Sequence, residues 1–183
     1  DVASREEAVS RVKTSKLQFS TIDLSITTLK ELEARAIREG ANREQSLRFW
    51  AGSAKITLAI VFTDIIESTA LTHSLGNERM DQVRRAHFAR ARDLIQKHSG
   101  FEIKTNGDEF MVAFRTAVNA IDFALELHDD TGDERVSIRA GMHIGPVTVE
   151  DEDLQGAAVS YAARVVGMAT AGGIWLSNEI KNH

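Results

Sequence analysis

Two aspartates at the ends of apolar runs are the residues of this chain best placed to do chemistry. Asp64 follows Ile56-Thr57-Leu58-Ala59-Ile60-Val61-Phe62 and precedes Ile65-Ile66-Glu67-Ser68-Thr69. Asp108 lies in Lys104-Thr105-Asn106-Gly107-Asp108-Glu109-Phe110, between two β-rich segments. Taken singly, each has an ordinary reading: Asp64 as the N-cap of a following helix, Asp108 as a turn carboxylate. Taken together, they put two carboxylates where strands end. Hard oxygen donors of this kind suit magnesium or manganese, and two such ions can activate a hydroxyl and neutralise a triphosphate. The backbone amides from Ile65 through Ile66, Glu67, Ser68 and Thr69, at a helix start, are candidates for the terminal phosphates.

Lys104, Asp153, Ser160 and Arg164 are the other polar residues singled out by position. Lys104 shares a hairpin with Asp108, where it also serves as a strand lysine that discourages edge pairing. Asp153 ends the acidic run Glu150-Asp151-Glu152-Asp153, which on composition is a solvated loop. Arg164 lies one helical turn past Ser160, and its side chain could equally snorkel along the surface.

The elements that must position these residues follow from the pattern of apolar side chains. The run before Asp64 is that of a strand buried on both faces. Met80, Val83, His87, Phe88, Ala91, Leu94 and Ile95 mark one face of a long helix that Gly100 stops. Strands are expected over Phe101–Thr105 and Glu109–Phe114, joined at Asn106-Gly107. Ala117, Ala120, Ile121, Ala124 and Leu127 mark a second helix, and Val136–His143 a strand. A short extended piece is expected at Pro146–Val149, a small-residue helix over Gly156–Ala169 and a last strand over Gly173–Ser177. The order β-α-β-β-α-β, then α-β, predicts an α/β (α+β) sandwich with a ferredoxin-like βαββαβ core and additions.

Residues 1–50 form a separate expectation, an N-terminal helical segment ahead of a catalytic domain over 51–183. Ile22, Ile26, Leu29, Leu32 and Ala36 recur at helical spacing, Gly40 ends that helix, and a second short helix runs through Arg43–Trp50. Such a segment could pack on the domain surface, or dimerise and carry a signal into it.

Composition narrows the function classes. With a net charge of −5, the chain is a poor match for the nucleic-acid backbone. With no cysteine, disulfides, thiolate zinc sites and thiol catalysis are excluded. The six histidines are not spaced as a metal pair on one helical turn. No apolar run reaches the ~18 residues of a membrane helix, and no signal peptide is visible. A cytoplasmic location is expected. The first residue is Asp1 rather than Met, which reads as a piece of a longer protein whose parent could be membrane-attached.

Four segments together resemble the signature blocks of class III nucleotidyl cyclases, in that family's order. They are Phe62-Thr63-Asp64-Ile65; Lys104 to Phe110; Arg139-Ala140-Gly141-Met142-His143-Ile144-Gly145-Pro146-Val147; and Asp153 through Ser160 and Arg164 to Val165. The resemblance covers about residues 54–180. It implies a βαββαβ-cored catalytic domain acting as a head-to-tail homodimer with sites at the interface. It implies that Asp64 and Asp108, helped by the Ile65 carbonyl, hold two Mg2+ or Mn2+ ions. Lys104 and Asp153 of the other subunit would read adenine, the lysine donating to ring N1 and the aspartate accepting from the exocyclic amine. Arg164 would stabilise charge on the α-phosphate. The implied activity is adenylate cyclase, ATP to cyclic AMP and pyrophosphate, in signal transduction under an upstream sensor. Two features depart from the family. Ser160 stands where asparagine is usual, which leaves its role with the ribose open. The chain also stops before the family's last strands and their phosphate-contacting lysine, and Lys181 lies too early to be that residue. Gly107-Asp108-Glu109-Phe110 overlaps the signature of diguanylate cyclases, but the Asp153–Arg164 block has no place there. A cyclase-like module that only dimerises or relays a signal is the non-catalytic alternative.

Overall fold

Strict alternation along one central strand sets the architecture. The computed structural model describes residues 47–151 and 153–182, and the helix expected between residues 22 and 40 lies outside them. Strand β1 (Lys55–Ile65) is flanked on both sides by antiparallel partners, β3 (Glu109–Phe114) and β4 (Ile138–Glu150). Its Ala59, Val61 and Ile65 enter one core, while Leu58, Ile60 and Phe62 enter another on the opposite face. The unbroken apolar stretch from Leu58 to Phe62 is therefore what a sheet covered on both faces requires.

Between β1 and β3 come helix α1 (Ser68–Leu75), helix α2 (Asn77–Lys97) and strand β2 (Phe101–Asn106). Helix α3 (Ala117–Asp129) links β3 to β4, and its N-cap Thr116 accepts from the Asn119 amide, a bond that contributes about 1 kcal/mol. The chain then runs through β5 (Asp153–Gln155), α4 (Ala157–Met168), β6 (Ile174–Leu176) and α5 (Asn178–Lys181). The sheet order is β2-β3-β1-β4-β5, with β6 parallel to β4 on the side where β5 also pairs. The first four positions are those of the expected βαββαβ core. Residues of α2 and α3 pack on the face of Ala59 and Val61, and residues of α4 on the face of Leu58 and Ile60.

Two local expectations are revised. The strand expected at Val136–His143 starts at Ile138 and runs on through the short extended piece expected at Pro146–Val149, as the single strand β4. Pro146 is tolerated because the described partners of β4 opposite β1 reach only residues 140–142 and 148–150, so one side of the strand is open around the proline. The hairpin turn is also displaced by one residue. Asn106 pairs with Glu109, so the two loop residues are Gly107 and Asp108 rather than Asn106 and Gly107. Gly107 has φ 61°, and Asp108 is not among the residues with positive φ. Glycine at the first loop position alone in that region matches a type II′ hairpin.

Helix α4 is held against the sheet by close approach. A Cβ on Gly141 of β4 would lie 2.1 Å from the Val166 backbone nitrogen, so only glycine admits the helix at this depth. The His143 ring stacks on Tyr161 of α4 at 5.0 Å, and its Nδ1 lies 2.9 Å from Ser177 Oγ. On the same sheet face, a helical turn over residues 47–51 buries Leu47 and Ala51. Trp50 there packs on Phe101, with the Arg115 guanidinium over its ring.

Candidate active site

The register of β1 and β3 brings the two aspartates to one end of the sheet. Asp64 is opposite Glu109, the residue that follows Asp108. Both aspartates are half-buried, and each is met by an arginine of the same chain. Arg139, directly across from Asp64 on β4, donates from Nη2 and Nε to Asp64 Oδ2 at 2.7 and 3.0 Å. Arg84, from α2, donates from Nε to Asp108 Oδ1 at 2.6 Å and from Nη1 to Asp81 Oδ1 at 3.2 Å. Sequence reasoning assigned no role to Arg84 or to Glu109, and it quoted Arg139 only as part of a block. The signal for Arg139 was its place in the β4 strand pattern. Arg84 lies among polar residues of α2 and carried no signal.

Glu109 reports on the electrostatics of this end. Burial pushes its carboxyl above the usual range, the neighbouring Asp64 charge pushes it further, and Lys104 and Arg139 partly offset both. The Glu109 carboxyl and the Asp64 charge thus work against each other at this end of the sheet. Among the described residues, no group of three or more His, Asp or Glu side chains converges on one point. A divalent ion here would therefore be held by Asp64, Asp108 and a backbone carbonyl such as that of Ile65, with the remaining positions left to water or substrate oxygens. That donor set fits magnesium, which binds through one or two carboxylates plus phosphates rather than in an all-protein cage.

The segment after Asp64 offers amides, though fewer than expected. The Ile66 amide donates to the Ser137 carbonyl at 2.8 Å, so it is already engaged. Glu67 takes a left-handed conformation at φ 53° and starts α1 with no side-chain cap. The first-turn amides at Ser68 and Thr69 therefore lack the partner that a capping side chain would supply. An open cleft of about 460 Å3 adjoins them and reaches Arg84 and Asp108.

On the α4 side of the site, Lys104 of β2 forms an ion pair with Asp153, the first residue of β5. The second carboxylate oxygen of Asp153 accepts from the Leu154 amide at 2.8 Å, which fixes the side chain. Lys104 and Asp153 lie in strands at opposite ends of the sheet path, so sequence spacing gave no indication that they touch. Ser160 and Arg164 sit one turn apart on the exposed side of α4, opposite the buried Ala158, Ala162 and Val166. Among the described residues, no ion pair or hydrogen bond joins Arg164 to either aspartate. The structure thus gathers Asp64 with Asp108, and Lys104 with Asp153, while Ser160 and Arg164 form a third, solvent-facing pair.

Comparison with known proteins adds the family context. The family model for the adenylate and guanylate cyclase catalytic domain matches residues 53–183. An adenylate cyclase of Streptomyces coelicolor is 32% identical over 117 residues, covering 61% of this chain and 30% of that protein. An adenylate cyclase of Lachancea kluyveri is 33% identical over 153 residues, covering 67% of this chain and 8% of that protein. The chain therefore spans less than a third of the length of either relative. Among solved structures, the adenylyl cyclase CyaB from P. aeruginosa superposes with a TM-score of 0.66 at 22% identity, over 70% of this chain and 80% of that one. At that identity the likeness speaks for the fold.

Proposed function

The chain belongs to the adenylate and guanylate cyclase catalytic-domain family, and from that premise we propose that it is an adenylate cyclase. Its reaction is attack of the ATP ribose 3′-hydroxyl on the α-phosphorus. The new O–P bond closes the 3′,5′ ring, the bond to the β-phosphate oxygen breaks, pyrophosphate leaves and the hydroxyl proton is released. The observation that carries the adenine preference is the Lys104–Asp153 pair. A fixed donor beside a fixed acceptor matches adenine, which accepts at N1 and donates from its exocyclic amine. Guanine presents a protonated N1 and a carbonyl at those positions, and the pair would meet it with donor against carbonyl only after rearrangement.

In this reading, Asp64 and Asp108 with the Ile65 carbonyl hold two Mg2+ or Mn2+ ions, which acidify the hydroxyl and share the phosphate charge when bound. Ser68 and Thr69, together with Glu67, present backbone amides to the terminal phosphates. Arg164 meets the charge that develops around the α-phosphorus, and Ser160 orients the ribose through its hydroxyl, directly or through a water. Little covalent chemistry falls to the protein, so positioning and electrostatics provide the acceleration.

The carboxylates and Arg164 occupy separate parts of one chain, which favours a homodimer whose site takes Asp64 and Asp108 from one subunit and Lys104, Asp153, Ser160 and Arg164 from the other. An upstream sensor and a cytoplasmic position complete the proposal. Among the described residues, no helix is long and apolar enough to cross a membrane.

The test is complementation. Asp64→Ala and Arg164→Ala proteins are each assayed with manganese and ATP, alone and mixed, and cyclic AMP is resolved by chromatography. Activity in the mixture that neither variant has alone supports the shared site. A dimeric wild-type protein that makes no cyclic nucleotide from ATP or GTP would favour the signal-relay alternative.

A further inference from the structure

Arg84 occupies one of the two carboxylate oxygens that Asp108 could offer a metal. Its Nε lies 2.6 Å from Asp108 Oδ1, and the Asp108 side chain is only 16% exposed against 32% for Arg84. The guanidinium therefore covers the carboxylate from the solvent side. Arg84 also has a second seat, since Nη1 reaches Asp81 Oδ1 at 3.2 Å on a carboxylate that is 56% exposed. It thus stands at the meeting point of a buried carboxylate, an exposed carboxylate and the cleft lined by Ser68, Thr69 and His73.

The cleft is suited to an anion. The α1 N-terminus on its wall has no side-chain cap and no acidic residue in its first turn. Asp108 is the carboxylate that lines it, and Arg84 neutralises that group. A guanidinium and a divalent cation repel each other strongly at a common carboxylate, the more so where water is partly excluded. A planar guanidinium also suits a phosphate as well as it suits a carboxylate.

We propose that Arg84 is a movable counter-ion of the site: it holds Asp108 while no divalent cation is bound, and turns into the adjoining cleft to hold the nucleotide's phosphate chain when one is. The assignment rests on the reading of Asp108 as a metal ligand. It makes metal and nucleotide binding cooperative, because the ion that displaces Arg84 frees it for the phosphates. Arg139 does not line this cleft, and both of its bonds to Asp64 go to Oδ2.

The experiment measures Mn2+ alone by electron paramagnetic resonance, without nucleotide, on the wild type, Arg84→Gln and Asp108→Asn. Inorganic pyrophosphate is then titrated calorimetrically at saturating Mn2+. Removing the guanidinium should tighten Mn2+ binding by about tenfold, the equivalent of one charge-assisted hydrogen bond. The same change should weaken pyrophosphate by a similar factor, and Arg84→Lys should fall between. Mn2+ affinity in Arg84→Gln that equals or falls below the wild type, or unchanged pyrophosphate affinity, would overturn the proposal. Asp108→Asn separates the two readings. If it weakens Mn2+ while Arg84→Gln changes nothing, only the counter-ion role falls; if it leaves Mn2+ binding intact, the metal assignment falls with it.

Discussion

The hairpin end of the sheet and the outer face of α4 treat charge in opposite ways. At the hairpin end, Asp64 and Asp108 are half-buried and each is covered by a guanidinium from its own chain. On α4, Arg164 projects into solvent beside Ser160, with no ion pair among the described residues. The Lys104–Asp153 couple lies between these extremes, a cation and an anion matched one to one. A single chain thus neutralises its own carboxylates and leaves a cation unmatched. The proposed shared site treats these as two half-sites. In the proposed reading, cations compete with the arginines for the acidic half, and the basic half meets its anion in substrate. Burial explains the asymmetry. An unpaired carboxylate in a partly desolvated site costs several kcal/mol in order of magnitude, whereas an exposed arginine on a helix costs almost nothing.

The sharpest way to break this comparison is to remove one charge from each half. Asp64→Asn should lower cyclic AMP formation by about 100-fold or more. Its loss should be largest at low manganese, because it acts through metal binding. Arg164→Ala should cause a comparable loss of kcat at every manganese concentration, with KM little changed. Identical manganese dependence in the two variants would erase the distinction between the halves. A smaller effect is expected at the matched pair. Lys104→Glu combined with Asp153→Ser should shift the ATP/GTP ratio of kcat/KM towards GTP by about tenfold, the worth of one base-edge contact. An unchanged ratio would remove these two residues from base recognition.

Much of the fold was legible because it depends on short-range pattern. The continuous apolar run of β1, the helical periodicity of α2 and the glycine-bearing hairpin fixed the element types and their order. Asp64 and Asp108 could be placed because each terminates such a pattern. The partners of these residues were not legible, because pairing depends on register and on three-dimensional approach. Arg139 reaches Asp64 through the β1–β4 register. Arg84 reaches Asp108 because the polar side of α2 passes the hairpin, a position that sequence cannot tell from a solvated face. The Lys104–Asp153 contact joins β2 to β5, which the sheet order separates by three strands. The one-residue shift of the turn had a local cause, the Asn106–Glu109 pair, and it put Asp108 in the loop itself. The amphipathic pattern over residues 22–36 lies outside the described residues.

The smallest effect expected concerns what lies beneath the hairpin end. His87, on α2, is fully buried. Its Nδ1 lies 2.9 Å from the Thr131 carbonyl, so it is assigned as the donor. Its Nε2 has no hydrogen-bond partner among the described residues. Burial lowers the imidazole pKa below the ordinary 6.5, and the Thr131 bond and the Asp108 charge only partly counter it. The folded state therefore keeps His87 neutral over a range where the unfolded chain takes up a proton. The stability from the neutral ring is complete above about pH 6.5, the unfolded value, and is lost as pH falls from there towards the depressed folded value. Thermal melts should show Tm falling by a few degrees over that window. His87→Asn retains a donor towards Thr131 but cannot titrate, so it should lower Tm at pH 8 through the cavity it leaves and flatten the decline below pH 6.5. A variant curve parallel to the wild type across that window would show that His87 does not set the acid decline, and would break the link between this buried ring and the stability of the hairpin end.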